Sequence, residues 1–352
     1  MDILKQLDID VQKVLKSFEI SQWSHKPNFD IIKNSPVITR EDLRKIKMEP
    51  LFYIAKTSGS TGEPLTVQKS YQDYVLYLAT NIREIRWRKW DFSKNLAIIK
   101  AGSKKEDKIG WGVPYTLEPK QGMTFKIGFE PISILQKWLE EKNPHYIHCY
   151  PSIVAQLDLS KITNLIDVKG TGEKGGSMYS SEECGTIAIQ CPDNKEVYHV
   201  MENIIVECDD EGALIVSNLT NPYVRRYKHG DHIELGECNC GRTLQTIKTI
   251  HGRVRNMLIL PNGDRRWPTF SNQLSNKPGD MHEIFGIKRF KVIQTTINDL
   301  EVQIIADELS TEKMDSLIKT IQLSIGLSMN VKIKYVNSFP NYKFEEFVSL
   351  VK

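Results

Sequence analysis

Thr57-Ser58-Gly59-Ser60-Thr61-Gly62-Glu63-Pro64-Leu65 is the stretch on which the reading of this chain turns. Its two glycines stand three apart, so backbone N–H groups can approach a ligand closely, and Thr57, Ser58, Ser60 and Thr61 add four hydroxyl donors. That combination suits a polyphosphate. The common phosphate loop closes on Lys-Ser/Thr, whereas here Gly62 runs into Glu63-Pro64 and no lysine is built in. Gly/Ser/Thr-rich stretches are also ordinary solvated turns, so composition alone leaves both readings open.

Working outward, 352 residues allow one large domain and a smaller one. With 40% hydrophobic and 26% charged residues and no apolar run long enough to span a bilayer, a soluble protein without a membrane partner is expected. The N-terminus mixes acidic and basic residues and lacks the apolar block of a signal peptide, which predicts a cytoplasmic location. The formal charge of +3 is not gathered into a basic arm. The locally basic run Arg83 to Lys89 reads as a solvated helix face, so no nucleic-acid partner is expected.

Apolar spacing predicts helices over 1–24, Tyr71 to Trp87, Ile132 to Glu141 and Thr311 to Ile325. Thr39 is a candidate N-cap, with Asp42 three residues on. Strands are predicted over Asn95 to Lys100, from His145, over Val197 to Glu207 and Ala213 to Ser217 around the turn at 209–212, and over Asn330 to Val336. Ile287 to Gln294 and Leu300 to Ala306 form a hairpin turned at Asn298-Asp299.

The loop's order of residues resembles the phosphate-loop signature of the adenylate-forming superfamily (acyl-CoA synthetases, adenylation domains, luciferase), Ser/Thr-Ser-Gly-Ser/Thr-Thr-Gly-x-Pro. Further pieces follow in the family's order. Ser35-Pro36 to Arg44 is similar to the segment that precedes the loop in phenylacetate:CoA ligases and their capsule-biosynthesis relatives. Tyr150-Pro151-Ser152 resembles a segment beside the acyl pocket. Thr171-Gly172-Glu173 is similar to the adenine-contacting piece, and Tyr179 to Glu182 to Tyr-Gly-Ser-Ser-Glu, with Met178-Tyr179 replacing Tyr-Gly. Between these two pieces, a helix and strand usual in the family are almost wholly missing. Pro222 to Asp231 resembles the ribose-binding segment, and His251-Gly252-Arg253 the hinge, with Arg255 and Asn256 where the hinge carries Asp. The tail from Ser338 matches the closing segment in spacing, placing Lys343 at the adenylation lysine, although Tyr342 replaces a glycine.

The resemblance implies an α/β fold: a large adenylate-forming N-terminal domain over 1–254 and a small α+β C-terminal lid domain over 255–352. It implies an ATP-dependent acid ligase that forms AMP and acts on a small-molecule carboxylic acid. Thr57, Ser58, Gly59, Ser60, Thr61 and Gly62 would hold the phosphates, Gly172, Glu173 and Tyr179 the adenine, and Asp231 the ribose. Glu182 would bind magnesium, a hard cation that takes oxygen ligands. Arg253 fits a phosphate or ribose contact, and Lys343 would meet the developing charge as a mobile cation. CoA is the default acceptor, and an amine or another thiol the rival. For Glu182 the alternative is a surface carboxylate in an acidic pair, and for Lys343 an exposed tail lysine. The departures at 173–178, Arg255 and Tyr342 also permit a nucleotide-binding protein without catalysis. A scaffold with no affinity for ATP is the third class. Tyr146, Tyr150, Trp111 and Phe125 are candidates for an aromatic acid pocket.

Six cysteines in a cytoplasmic chain are expected to be reduced. Cys191 and His199 bracket a polar turn, and Cys238 and Cys240 share another loop. Three thiolates and one imidazole make a closed tetrahedral zinc set, and the resembled branch includes members with a structural zinc here. The alternative is four unrelated residues, with Cys149, Cys184 and Cys208 as buried small hydrophobes.

Overall fold

The computed structural model describes residues 3–56, 65–100, 103–118, 121–128, 130–171, 175–253, 258–260, 265–266, 285–325, 329–339, 345 and 347–351, the side chains of 152, 253, 265–266 and 323–325 excepted. Contacts divide the chain into two compact units, Met1–Ile250 and His251–Lys352.

The first unit opens with helix α1 (Ile3–Ser21). Its apolar residues recur every three or four positions, and Leu7, Val11, Leu15 and Phe18 are all buried. Burying four such side chains contributes roughly 6–12 kcal/mol before the entropy of ordering is subtracted. Helix α2 (Arg40–Lys45) starts at a capping box: Thr39 receives the Asp42 N–H, and Asp42 returns a bond to the Thr39 backbone. Strands β1 (Tyr53–Lys56) and β2 (Thr66–Lys69) pair antiparallel on either side of the glycine-rich loop. Helix α3 (Tyr71–Trp87) is capped in the same way by Ser70 and Asp73.

A five-stranded sheet follows, from β3 (Leu96–Ile99), β4 (Glu106–Ile109), β5 (Met123–Ile127), β6 (Tyr146–Cys149) and β7 (Asp167–Gly170), in the order β4-β5-β3-β6-β7. All neighbours are parallel except β4 and β5. Helix α4 (Ile132–Lys142) packs Leu135, Trp138 and Leu139 against Ala97, Ile99 and Ile147 on one face. On the other, α1 and α3 share a core with Leu96, Trp90, Trp111 and Tyr146. Strand parity therefore separates the expected aromatic lining: Tyr146 and Trp111 lie in the α1–α3 core, whereas Phe125 and Tyr150 join the α4 core.

The basic run Arg83 to Lys89 is a solvated face only in part: Arg86 and Lys89 are exposed. Arg83 and Glu84 are 4% and 1% exposed, because α3 lies between α1 and the sheets and buries most of its length up to Ile85. Arg83 reaches Glu202 at 2.8 Å between the rings of Phe18 and Trp87, and Arg88 reaches Asp167 at 2.7 Å.

The remaining strands of this unit are β8 (Met178–Ser181), β9 (Gly185–Gln190), β10 (Tyr198–Val200), β11 (Ile204–Cys208), β12 (Ala213–Asn218), β13 (Tyr227–Gly236) and β14 (Thr246–Arg253). They form one sheet in the order β11-β12-β13-β14-β10-β9-β8. The strand expected from Val197 to Glu207 is thus two: β10 pairs with β9 and β14, whereas β11 turns at Met201 to pair with β12.

The second unit has a short hairpin, β15 (Leu258–Ile259) with β16 (Arg265–Arg266). Its four-stranded sheet contains β17 (Arg289–Gln294), β18 (Asp299–Ile305), β19 (Asn330–Tyr335) and β20 (Phe347–Ser349), in the order β19-β18-β17-β20. Helix α6 (Thr311–Ile325), following a short α5 (Pro151–Val154) in the first unit, buries Leu317 and Ile321 against Val302 and Ile304. The fold is mixed α/β with a smaller α+β second unit, as the sequence predicts. Among the described residues no helix is long and apolar enough to cross a membrane.

Candidate active site

Tyr179 and Asp231 come together across the seven-stranded sheet. The Tyr179 hydroxyl donates to Asp231 Oδ2 at 2.7 Å, and His229 Nδ1 stands 3.3 Å from the same oxygen. The pairing of β13 with β12 slips between Ala213 and Ile215, and Gly230 takes a φ of +89° within the slipped segment. Irregularities of this kind re-aim side chains beside sites, and here the result is a carboxylate held by a phenol and an imidazole. Sequence reasoning missed His229, although it lies two residues from Asp231 on the same strand.

Glu182 is exposed at the turn between β8 and β9, while its neighbour Glu183 is buried. Arg40 pairs with Glu183 at 2.6 Å, and Lys69 Nζ donates to the Glu183 carbonyl at 2.8 Å. Lys69, 3% exposed, ends β2, so it ties the strand leaving the glycine-rich loop to the Glu182 turn. Burial holds the Lys69 amine below the ordinary lysine value, against the pull of Asp73 and Cys184. Lys69 is the second residue the sequence reading missed; its signal is a lysine standing among the buried positions of a strand.

Beside this turn lies a group of tyrosines. Tyr53 meets Tyr74 edge to face at a centroid distance of 5.9 Å, and Tyr74 stacks on Tyr77 at 6.3 Å. Burial first, then the charges of Asp73, Tyr77 and Glu182, push the Tyr53 phenol up to about 12. Burial also raises Tyr77, with Tyr115, Lys169, Tyr74 and Glu182 acting on it, yet Tyr77 is 41% exposed. Glu182 and Tyr77 are thus exposed, whereas Tyr115 is buried. Lys169 and Glu84 form a buried ion pair at 2.5 Å, 2% and 1% exposed.

The cysteine and histidine expectation resolves into one cluster. Ligand atoms of Cys191, His199, Cys238 and Cys240 all lie within 4.8 Å of one another. Cys191 and Cys238 sulfurs are 3.8 Å apart, and His199 Nε2 is 3.2 Å from Cys240 Sγ. Sulfurs on a tetrahedron with bonds of about 2.3 Å stand about 3.8 Å apart, so the donor set fits zinc in kind and spacing. Burial, followed by the charges of Arg242 and Arg83, holds His199 down to about 4, so the ring is neutral and competent as a ligand. Metal-bound imidazoles usually donate from their second nitrogen, whereas His199 Nδ1 is buried with no hydrogen-bond partner among the described residues. All six cysteines are free thiols; Cys149 and Cys184 are buried as expected, and Cys208 is part exposed.

Thr57, Ser58, Gly59, Ser60, Thr61, Gly62, Gly172, Glu173 and Lys343 lie outside the described residues, as does the side chain of Arg253.

Comparison with known proteins fits this architecture. Residues 273–344 match the family described as the CapK C-terminal domain. No curated protein matches the chain in sequence. Among solved structures, a 2-hydroxyisobutyryl-CoA ligase in the postadenylation state in complex with 2-HIB-AMP superposes with a TM-score of 0.69 at 14% identity, over 98% of this chain and 89% of that one. The GH3.15 acyl acid amido synthetase gives 0.60 at 10% identity, over 99% and 93%. The amide bond synthetase McbA from Marinactinospora thermotolerans gives 0.52 at 14%, over 82% and 65%. In fold, the chain is similar to these CoA ligases and amide synthetases, and its residues 273–344 match the CapK C-terminal domain.

Proposed function

We propose that this protein activates a small carboxylic acid with ATP and passes the acyl group to a thiol or an amine. One acid carboxylate oxygen attacks the α-phosphorus of ATP, pyrophosphate leaves, and an acyl adenylate remains. The acceptor then attacks the acyl carbon and AMP departs. In this reading Thr57 to Gly62 hold the phosphates through backbone N–H and hydroxyl groups. Asp231, fixed by Tyr179 and His229, receives the two ribose hydroxyls, because a carboxylate offers paired acceptors to adjacent donors. Gly172 and Glu173 border the adenine. Glu182 would hold Mg²⁺ through a carboxylate oxygen, and the ion would supply positive charge to the phosphates. Lys343 meets the charge that develops at the α-phosphate, and Arg253 a phosphate or ribose oxygen.

The observation that carries the reading is the Tyr179–Asp231 bond, which joins two segments 52 residues apart that the resemblance independently assigns to the nucleotide. The similar structures include both CoA ligases and amide synthetases, so CoA and an amine stand as the two acceptor classes. Acid-dependent exchange of labelled pyrophosphate into ATP, run over a panel of carboxylic acids, tests the reading. Exchange with at least one acid is expected. ATP binding without exchange for any acid would leave a nucleotide-binding protein of the same fold.

The Cys191, His199, Cys238 and Cys240 cluster is proposed to hold zinc in a structural role. With four protein ligands no position remains for water, so the ion would staple two loops and take no part in the acyl chemistry.

A further inference from the structure

The turn between β8 and β9 carries two adjacent carboxylates that face opposite ways. Ser181 pairs with Gly185, so Glu182, Glu183 and Cys184 make the reversal, and Gly185 closes it with a φ of +78°. Glu182 is exposed and makes no hydrogen bond or ion pair with the described residues, whereas Glu183 is buried.

Glu183 is held from three other elements. Its Oε1 accepts from Arg40 at the start of α2 at 2.6 Å and from the Tyr227 hydroxyl on β13 at 3.4 Å. Its carbonyl accepts from Lys69 Nζ, at the end of β2, at 2.8 Å. The turn is tied twice more: Cys184 gives its N–H to Ser181 Oγ at 3.1 Å, and Asn218 Nδ2 on β12 reaches the Cys184 carbonyl at 3.0 Å. A buried polar network with its members satisfied is rigid and selects one arrangement. Here it selects between neighbours. A slip of one position would exchange the faces of the two glutamates, and the donors from Arg40 and Tyr227 favour the register that buries Glu183 and leaves Glu182 outward.

The same contacts fix where Glu182 stands. β2 follows the glycine-rich loop in the chain, and β13 carries Asp231 four residues after Tyr227. Glu183 therefore joins the Glu182 turn to both the strand beyond the loop and the strand of the ribose carboxylate. An exposed, unpaired carboxylate on a rigid turn fits magnesium, which keeps several waters and takes one or two carboxylates beside the phosphates of its ligand.

We infer that Glu183 is a positioning residue: with Arg40 and Tyr227 it holds Glu182 outward, in fixed relation to β2 and β13, to receive the magnesium ion of a nucleoside triphosphate. The inference rests on the nucleotide-binding part of the proposed function and is independent of the acyl chemistry. Replacing groups that orient a metal's ligand typically costs about tenfold to a hundredfold in metal affinity or activity.

The test measures ATP and AMP affinity by calorimetry, with Mg²⁺ and with EDTA, in wild type, Glu182→Gln, Glu183→Gln and Arg40→Gln. Melting temperatures report the fold, and Arg40→Gln, at a part-exposed side chain, serves if Glu183→Gln does not fold. AMP is the control for general damage to the nucleotide site. Mg²⁺ is expected to tighten ATP binding in wild type. Glu183→Gln and Arg40→Gln should lower ATP affinity in Mg²⁺ by about tenfold to a hundredfold, as Glu182→Gln does, with AMP affinity and ATP affinity in EDTA unchanged. That pattern in a protein showing no pyrophosphate exchange with any acid would sustain the positioning role and remove the adenylation reading. An unchanged Mg²⁺ effect in folded Glu183→Gln or Arg40→Gln, equal weakening of ATP and AMP, or wild-type ATP binding indifferent to Mg²⁺ would overturn the inference. Exchange in wild type then decides adenylation on its own.

Discussion

Replacing Glu84 by glutamine keeps the shape of the side chain and removes its charge. Glu84 accepts from Lys169 at 2.5 Å and from Ser177 Oγ at 2.6 Å, and Arg88 Nε lies 3.6 Å away. With the charge gone, the Lys169 ammonium, 2% exposed, faces only neutral acceptors, the glutamine amide oxygen and the Tyr115 hydroxyl at 3.4 Å. Stranding one member of a buried pair costs about 3–5 kcal/mol. At roughly 2–4 °C per kcal/mol for a unit of this size, the melting temperature should fall by about 6–20 °C. The double variant Glu84→Leu with Lys169→Met removes both charges and should return to within about 1 kcal/mol of wild type or exceed it. Burial disfavours the Lys169 charge, but Glu84 and Tyr115 outweigh it and hold the pKa above the ordinary lysine value. A raised lysine contributes fully below its unfolded pKa of about 10.4 and loses that contribution only as pH rises through the folded value. The gap between wild type and Glu84→Gln should therefore be flat from about pH 6 to 9. Urea and thermal unfolding of wild type, Glu84→Gln and the double variant supply the assay. A Glu84→Gln loss below about 1 kcal/mol, or a double variant no more stable than Glu84→Gln, would refute the reasoning.

Lys343→Ala should leave ATP affinity nearly unchanged while pyrophosphate exchange falls by about tenfold to a hundredfold, the scale of one lost charge partner in the transition state; equal exchange would return Lys343 to an ordinary tail lysine. Tyr179→Phe should weaken ATP binding by up to about tenfold, because the hydroxyl acts through Asp231, and Asp231→Ala by at least about a hundredfold, as a charged acceptor of two bonds is lost. Calorimetry checks both, and equal effects would show that the phenol touches the nucleotide itself. Elemental analysis should find about one zinc per chain, and Cys240→Ser should shed the ion and lower the melting temperature; a metal-free protein of full stability would remove the zinc.

Local signals carried much of the fold. Helix α3 was legible to the residue from its apolar spacing over Tyr71 to Trp87, and the structure adds the Ser70 and Asp73 cap that fixes its start. The thiol and imidazole cluster was legible because two short pairs, each on its own turn, had only to meet. Pairing at long range was not legible: period two in Val197 to Glu207 cannot show that the chain reverses at Met201, nor that β10 will lie against β14. Burial of charge was hidden for the same reason. Arg83 and Glu84 read as solvent residues until α1 on one side and Glu202 and Lys169 on the other enclose them. Tyr179 and Asp231 could be named separately, but the bond between them, and the part His229 and Lys69 take, depends on a strand irregularity and on cross-sheet neighbours.

The most direct test of the account follows the carboxylate oxygen. An acid that supports pyrophosphate exchange is labelled with ¹⁸O in its carboxylate and turned over with ATP and the acceptor. Attack by that oxygen on the α-phosphorus predicts one ¹⁸O in the AMP released. Label in inorganic phosphate with unlabelled nucleotide would contradict the account, for it would place the attack at the γ-phosphate.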